Sequence, residues 1–141
     1  MAQRRAVAAT LGVIGAALLA VSPFPDWYHL DTGDSTFNVS GWDAFELVDI
    51  WLVGAAIATL YFVARSDGRG LLRLGAATTA IVFVQLTDKT PLLGFGDSFD
   101  VSIRIGGWLA LAGALLVLAA GAVSFRLAPL KQKGPAMPGP R

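Results

Sequence analysis

Four long stretches of the chain are almost free of charge, and polar residues gather in the connections between them. The first runs from Ala6 to Pro25, behind Arg4 and Arg5 and ahead of Asp26. The second carries Glu46 and Asp49 near its start and is then uncharged from Ile50 to Ala64, where Arg65 stops it. A third extends from Leu71 to Thr87, with Arg73 near its beginning and Asp88 beyond its end; the fourth, Ile105 to Phe125, has charges only at its flanks, Arg104 and Arg126. A hydrocarbon layer about 30 Å thick is crossed by roughly 20 helical residues, so each stretch suffices for one crossing. The pattern predicts an all-α membrane protein, a four-transmembrane-helix bundle with helices over residues 5–23, 42–65, 70–88 and 103–126 in one domain, 1–127.

The connection after the first helix and the one after the third share a short repeat. Gly33-Asp34-Ser35-Thr36-Phe37-Asn38-Val39-Ser40-Gly41-Trp42 matches Gly96-Asp97-Ser98-Phe99-Asp100-Val101-Ser102, with Gly107-Trp108 following. Phe37 and Val39, or Phe99, Val101 and Ile103, alternate with polar neighbours, the period of a strand with one buried face. The chain reads as two copies of a helix–strand–helix unit whose strands pair into a small extracytoplasmic β element, unless the likeness is a chance similarity of loop sequence. Pro23 and Pro25 end the first helix. Ser40-Gly41-Trp42-Asp43 has the Ser-x-x-acid spacing of a capping box and marks the start of the second. Gly68-Arg69-Gly70 is expected to form a tight turn between the second and third. Residues 128–141, with four prolines and two glycines, have a composition that builds no core, and a disordered cytoplasmic tail is expected there.

Composition narrows the chemistry. Of 141 residues 55% are hydrophobic and 15% charged, and the mean hydropathy of +0.61 is far above that of a water-soluble domain. The absence of cysteine excludes disulfide scaffolds, thiol catalysis and cysteine-ligated metal centres. A single histidine, His29, and two methionines argue against haem or a multi-histidine metal site, so no cofactor and no metal site are expected.

Charge sorts by connection. Arg4, Arg5, Arg65, Arg69, Arg73, Arg126, Lys131, Lys133 and Arg141 fall on one side with only Asp67 among the acids, whereas nine acids fall on the other with Lys89 and Arg104. By the positive-inside rule the first side is cytoplasmic, which gives a multi-pass cell-membrane protein with both termini inside. Arg4 and Arg5 ahead of an apolar run, with small residues at Ala20-Val21-Ser22, also resemble a secretory signal; Pro23 directly after argues against cleavage, and a retained helix is expected. Trp27, Tyr28, Trp42 and Trp108 fall where amphipathic rings favour the outer membrane interface, and are expected as interfacial anchors.

One constellation stands out. Trp42, Glu46 and Asp49, spaced i, i+4, i+7, share a face of the second helix. An ionised carboxylate at the depth of Asp49 needs a partner, and Arg104, at the start of the fourth helix on the same side, is the expected counter-charge for Asp49, Glu46 or Asp88. Two readings stay open: a structural charge cluster that fixes helix register, or a proton or cation site. Small residues four apart, Gly12 and Ala16, Gly54 and Ala58, Gly75 and Thr79, Ala110 and Ala114, suit close helix packing, and Thr78, Thr79 and Gln85 are expected to find partners inside the bundle. No nucleophile–base pair and no phosphate loop is present, and Asp31-Thr32-Gly33 is too short a match to indicate an aspartic protease, so no enzyme activity is expected.

The layout of Pro25-Asp26-Trp27-Tyr28, then Ser40-Gly41-Trp42-Asp43-Ala44-Phe45 leading to Asp49, then a short inner turn and a final Gly107-Trp108-Leu109-Ala110 helix resembles small uncharacterised four-helix membrane proteins of actinobacteria. That resemblance covers residues 6–125 and implies the four-crossing layout without an activity. A looser likeness is to the claudin-like tetraspan arrangement, from which this chain departs by lacking the cysteine pair. The expected function is that of an accessory subunit or scaffold acting through its acidic outer face, the alternative being a small transporter or ion-conducting protein that uses the membrane carboxylates. Expected partners are the lipid bilayer and a membrane protein or a second copy of the chain; nucleic acid is not among them.

Overall fold

The computed structural model describes residues 2–31, 33–40, 46–87, 100–126 and 139. It contains α1 (Ala2–Val21), β1 (Asp26–Asp31), β2 (Thr36–Ser40), α2 (Glu46–Ala64), α3 (Gly68–Thr87), β3 (Asp100–Ile103) and α4 (Ile105–Arg126). All four helices are long and apolar enough to cross a membrane. Residues 41–45, with the expected cap of the second helix, and the expected tail apart from Gly139 lie outside the described residues.

The helices form a ring in which α4 packs closely on α1 and on α3, α1 packs on α2, and the α2–α3 seam is the sparsest. In lipid, apolar surface gains little by leaving lipid for protein, so close backbone approach at small residues becomes the main source of attraction. The sequence of α4 supplies it on two adjacent stripes. Towards α1, a methyl group built on Gly113 would lie 3.0 Å from the Gly15 carbonyl oxygen, and one on Gly15 would lie 2.9 Å from that of Gly113. Towards α3, a methyl on Gly75 would lie 2.5 Å from the Leu118 nitrogen, and one on Gly121 would overlap the backbone of Leu72. Ala110, Ala114, Val117 and Ala120 fill the interior between these stripes and are fully buried. Of the four expected small-residue pairs, Gly12 with Ala16, Gly75 with Thr79 and Ala110 with Ala114 point into the bundle at least in part, whereas Gly54 faces outward with nothing within 4 Å of an added methyl.

Helix ends follow from local chemistry. At the end of α1 the carbonyls of Leu18, Leu19, Val21 and Ser22, which have no intrahelical donor, accept from Ser22 N, Ser22 Oγ, Phe24 N and Trp27 Nε1 at 2.8–3.1 Å. The turn between α2 and α3 is Arg65-Ser66-Asp67. Ser66 takes the left-handed conformation (φ 53°), with Ser66 N bonded to Val63 O and Asp67 N to Phe62 O, a Schellman ending without glycine. The Asp67 carboxylate then accepts from Arg69 N and Gly70 N at 3.1 and 3.0 Å and caps α3. This corrects the expected Gly68–Gly70 turn: those glycines belong to the first turn of α3, because Asp67 starts the helix earlier.

A three-stranded sheet of order β2-β1-β3, antiparallel throughout, covers the opposite end of the bundle from that turn. The two repeat strands therefore do not pair with each other. Both pair with β1, a strand the sequence reading left out: Leu30 stands opposite Phe37 on one side and Val101 on the other, and Tyr28 opposite Val39 and Ile103.

The same substitution is expected to act with opposite sign at two glycines. Gly121→Ala forces α3 and α4 apart and costs about 1–3 kcal/mol, whereas Gly54→Ala is neutral or stabilises by up to about 1 kcal/mol. Denaturation midpoints in mixed detergent micelles check both.

Candidate functional site

The sheet end of the bundle is built around Trp27 and Tyr28. Both sit in β1 and are buried, Trp27 completely. A bulge between Asp26 and Tyr28 lets two successive aromatic residues turn inward where strict alternation would expose one. The Trp27 indole donates Nε1 to Ser22 O at 2.8 Å and lies against the first turn of α4, where a methyl on Gly106 would lie 2.5 Å from Cδ1. The Trp27 carbonyl accepts from Arg104 N at 2.7 Å, and the Tyr28 hydroxyl donates to Gln85 O near the end of α3 at 2.7 Å. One dipeptide thus joins the ends of α1 and α3 to the start of α4.

This corrects the expectation of Trp27 and Tyr28 as interfacial anchors. Their polar atoms bond to backbone carbonyls inside the protein, and their rings pack on helix ends, not on lipid. Trp108, 56% exposed on α4, keeps the orientation an anchor needs. Trp42 lies outside the described residues.

On the face of the sheet turned away from the bundle, the residues are polar. His29 Nδ1 donates to Asn38 Oδ1 at 2.6 Å across β1 and β2, and Ser102 lies opposite His29 on β3. Asp31 accepts from Gly33 N at 2.9 Å, where Gly33 has φ 81°, so the carboxylate of the Asp31-Thr32-Gly33 triplet closes a local turn. Among the described residues no cluster of three or more metal-ligating side chains occurs.

Of the expected charge cluster, Asp49 is placed in full. It sits one turn into α2 on the face that also carries Leu52, Ala56 and Thr59; it is 0% exposed, and neither carboxylate oxygen has a hydrogen-bond partner among the described residues. Glu46 opens α2, but its side chain lies outside the described part, as does the whole of Asp88. Arg104 is exposed in the step between β3 and α4. Of the three acids expected to pair with Arg104, Asp49 does not meet it, and the Glu46 side chain and Asp88 lie outside the described residues; the Arg104 backbone N–H is held by Trp27 O in the sheet layer.

The polar residues of α3 divide. Thr78, fully buried, has its hydroxyl 3.4 Å from Trp51 Nε1, which donates to it across the α2–α3 seam. Gln85 contributes its backbone carbonyl to Tyr28, and the Thr79 hydroxyl has no partner among the described residues. The part played by Trp51 is one the sequence analysis missed, although an indole in a largely apolar helix calls for an acceptor and Thr78 on the next helix could supply one.

Searches of family models, curated proteins and solved structures gave no match to this chain.

A carboxylate buried without partners weakens the fold that holds it. Asp49→Leu is therefore expected to raise stability by about 1–3 kcal/mol in micelle denaturation. A fall of that size would mean that a compensating group meets Asp49.

Proposed function

We propose that this chain is a four-pass membrane protein with both termini cytoplasmic, acting through protein contacts at its outer cap as an accessory subunit or scaffold and not as an enzyme. The observation that carries this reading is the way the sheet is mounted. Hydrogen bonds at Trp27 and Tyr28 tie it to Ser22 just after α1, to Gln85 on α3 and to Arg104 just before α4, while its distal face is polar and, among the described residues, β2 is an edge strand. An edge strand offers unpaired N–H and C=O groups to an incoming strand, and most natural sheets blunt or cover such edges. Here β2 carries Phe37, which stays 55% exposed although it stands opposite buried Leu30. The exposed carboxylates Asp31 and Asp34 beside it give the cap an acidic character and favour a partner with basic groups.

The second reading, a small ion-conducting protein, draws on Asp49 alone. A fully buried carboxylate without a bonded partner is the kind of group that ion pathways use. It is the weaker reading, since the core below Asp49 is apolar: Leu52, Ala55 and Ala56 are buried there, and the Thr59 hydroxyl is taken by Ala55 O at 2.7 Å.

Two measurements separate the readings. A photo-reactive residue in place of Phe37 is expected to give a discrete protein adduct in native membranes, while one in place of Ile57, 65% exposed on α2, gives none. Absence of an adduct from the cap speaks against the contact reading. For the second, proteoliposomes of wild type and Asp49→Asn are compared for proton and cation flux; no flux is expected from either, and a flux abolished by the substitution would install the conduction reading.

A further inference from the structure

The sparse α2–α3 seam opens outward as a groove of about 610 Å³. Its apolar lining is Trp51, Phe62, Leu74 and Ala77, and its mouth carries Arg69 and Arg73, with Asp67 and Gly70 alongside. From Arg69 to Ala77 the groove follows α3 for about 12 Å at 1.5 Å per residue, so its apolar part lies at hydrocarbon depth and its cationic part at the helix end. The geometry points to a binding site for one anionic phospholipid, its phosphate between Arg69 and Arg73 and an acyl chain along Phe62, Leu74 and Trp51.

Charge decides the occupant. Arg69 and Arg73 stand i, i+4 on one helix face, where like charges repel, and an anion between them turns that repulsion into attraction. Neither guanidinium has an ion-pair partner among the described residues. Asp67, which caps α3 through Oδ1, is the carboxylate among the described lining residues, and two arginines against one carboxylate leave the lining net positive. Arg69 is also held in place, its guanidinium 5.9 Å from the centre of the Phe125 ring. Gly70 lets the groove close on its apolar floor, because a methyl there would lie 2.6 Å from the Phe62 ring. A zwitterionic lipid would fill the same apolar slot but bring its own cation to the two arginines. The site rests on placement in a bilayer and is independent of the contact reading of the cap.

Trp51 supplies the readout, since bromine on an acyl chain quenches only indoles that it touches. The full-length protein is reconstituted into vesicles with equal amounts of phosphatidylcholine and phosphatidylglycerol, brominated on the acyl chains of one lipid or the other. The Trp51 component is the difference between wild type and Trp51→Phe. Quenching of that component is expected to favour brominated phosphatidylglycerol, with about fivefold in relative binding constant from each arginine. The preference is expected to vanish in Arg69→Gln/Arg73→Gln and to persist in Arg69→Lys/Arg73→Lys. If the glutamine variant does not fold, raised ionic strength replaces it, and the wild-type preference is then expected to fall towards unity. Equal quenching by the two lipids, a preference that survives loss of both guanidinium charges or added salt, or a preference carried by the other tryptophans overturns the site. Absence of quenching by either lipid would overturn bilayer placement itself, and the lipid site with it, whereas a failed cap crosslink leaves this result untouched.

Discussion

Distance of approach, more than apolar area, holds these helices together. A leucine side chain gains almost nothing by exchanging lipid for protein, so attraction depends on how near two backbones come and on how many atoms then touch. Gly15 and Gly113 bring α1 to α4, and Gly75 and Gly121 bring α3 to α4. The one glycine of α2, Gly54, points outward and has no counterpart across the α2–α3 seam. That seam is left to Trp51, Phe62 and a long Trp51–Thr78 hydrogen bond, and it does not close. Tight seams on two sides of α4 and an open one between α2 and α3 follow from the same rule, applied to where the sequence places its smallest residues.

The sheet answers a different requirement. Apolar surroundings make an unbonded carbonyl costly, and α1 ends in proline residues that cannot prolong it. Its last carbonyls are satisfied by Ser22, Phe24 and the indole of Trp27. Tyr28 carries the same logic to Gln85 on α3, though there the accepting carbonyl belongs to a helix that continues to Thr87. The bulge that turns both rings inward is what makes β1 a junction and not merely a strand. Because β1 is central, β2 and β3 inherit its position, and the sheet's polar face is fixed relative to the bundle.

Much of this was legible in the residues, and the failures have physical causes. Four nearly uncharged runs of spanning length dictate four helices whatever their sequence detail, and the structure has four helices long and apolar enough to cross a membrane. Ends shifted where a side chain intervened: Asp67 starts α3 at Gly68, two residues early, by capping it. The strand Asp26–Asp31 was missed because adjacent Trp27 and Tyr28 break alternation, and because two aromatics near a membrane end have a ready explanation as lipid anchors. Tyr28, His29, Leu30 and Asp31 do alternate, a signal that four residues carry only faintly. Arg104 and Asp49, one of the three pairings expected for that arginine, do not meet, since charge complementarity says which groups attract and not whether the fold brings them together. The groove was invisible to sequence, as it depends on the gap between two helices and not on either one.

The placement of Asp49 bears on what the bundle can do. A carrier of protons or cations needs alternating polar groups along a path, and each must be able to pass its charge to the next. From Asp49 towards the Ser66–Asp67 turn, the interior face of α2 presents Leu52, Ala56 and a Thr59 whose hydroxyl is bonded back to its own helix. Facing it, α1 offers Leu19, Ala16 and Gly12, and α4 offers Ala114, Val117 and Ala120. Apart from Thr59, whose hydroxyl donates to Ala55 O, none of these side chains carries a group that can relay a proton or coordinate an ion. The α2–α3 seam does carry polar groups, Thr78 and Trp51, and Arg69 and Arg73 place positive charge at its far end. That field opposes cations and attracts anions, so the seam suits the head group of an acidic lipid better than it suits a cation leaving Asp49.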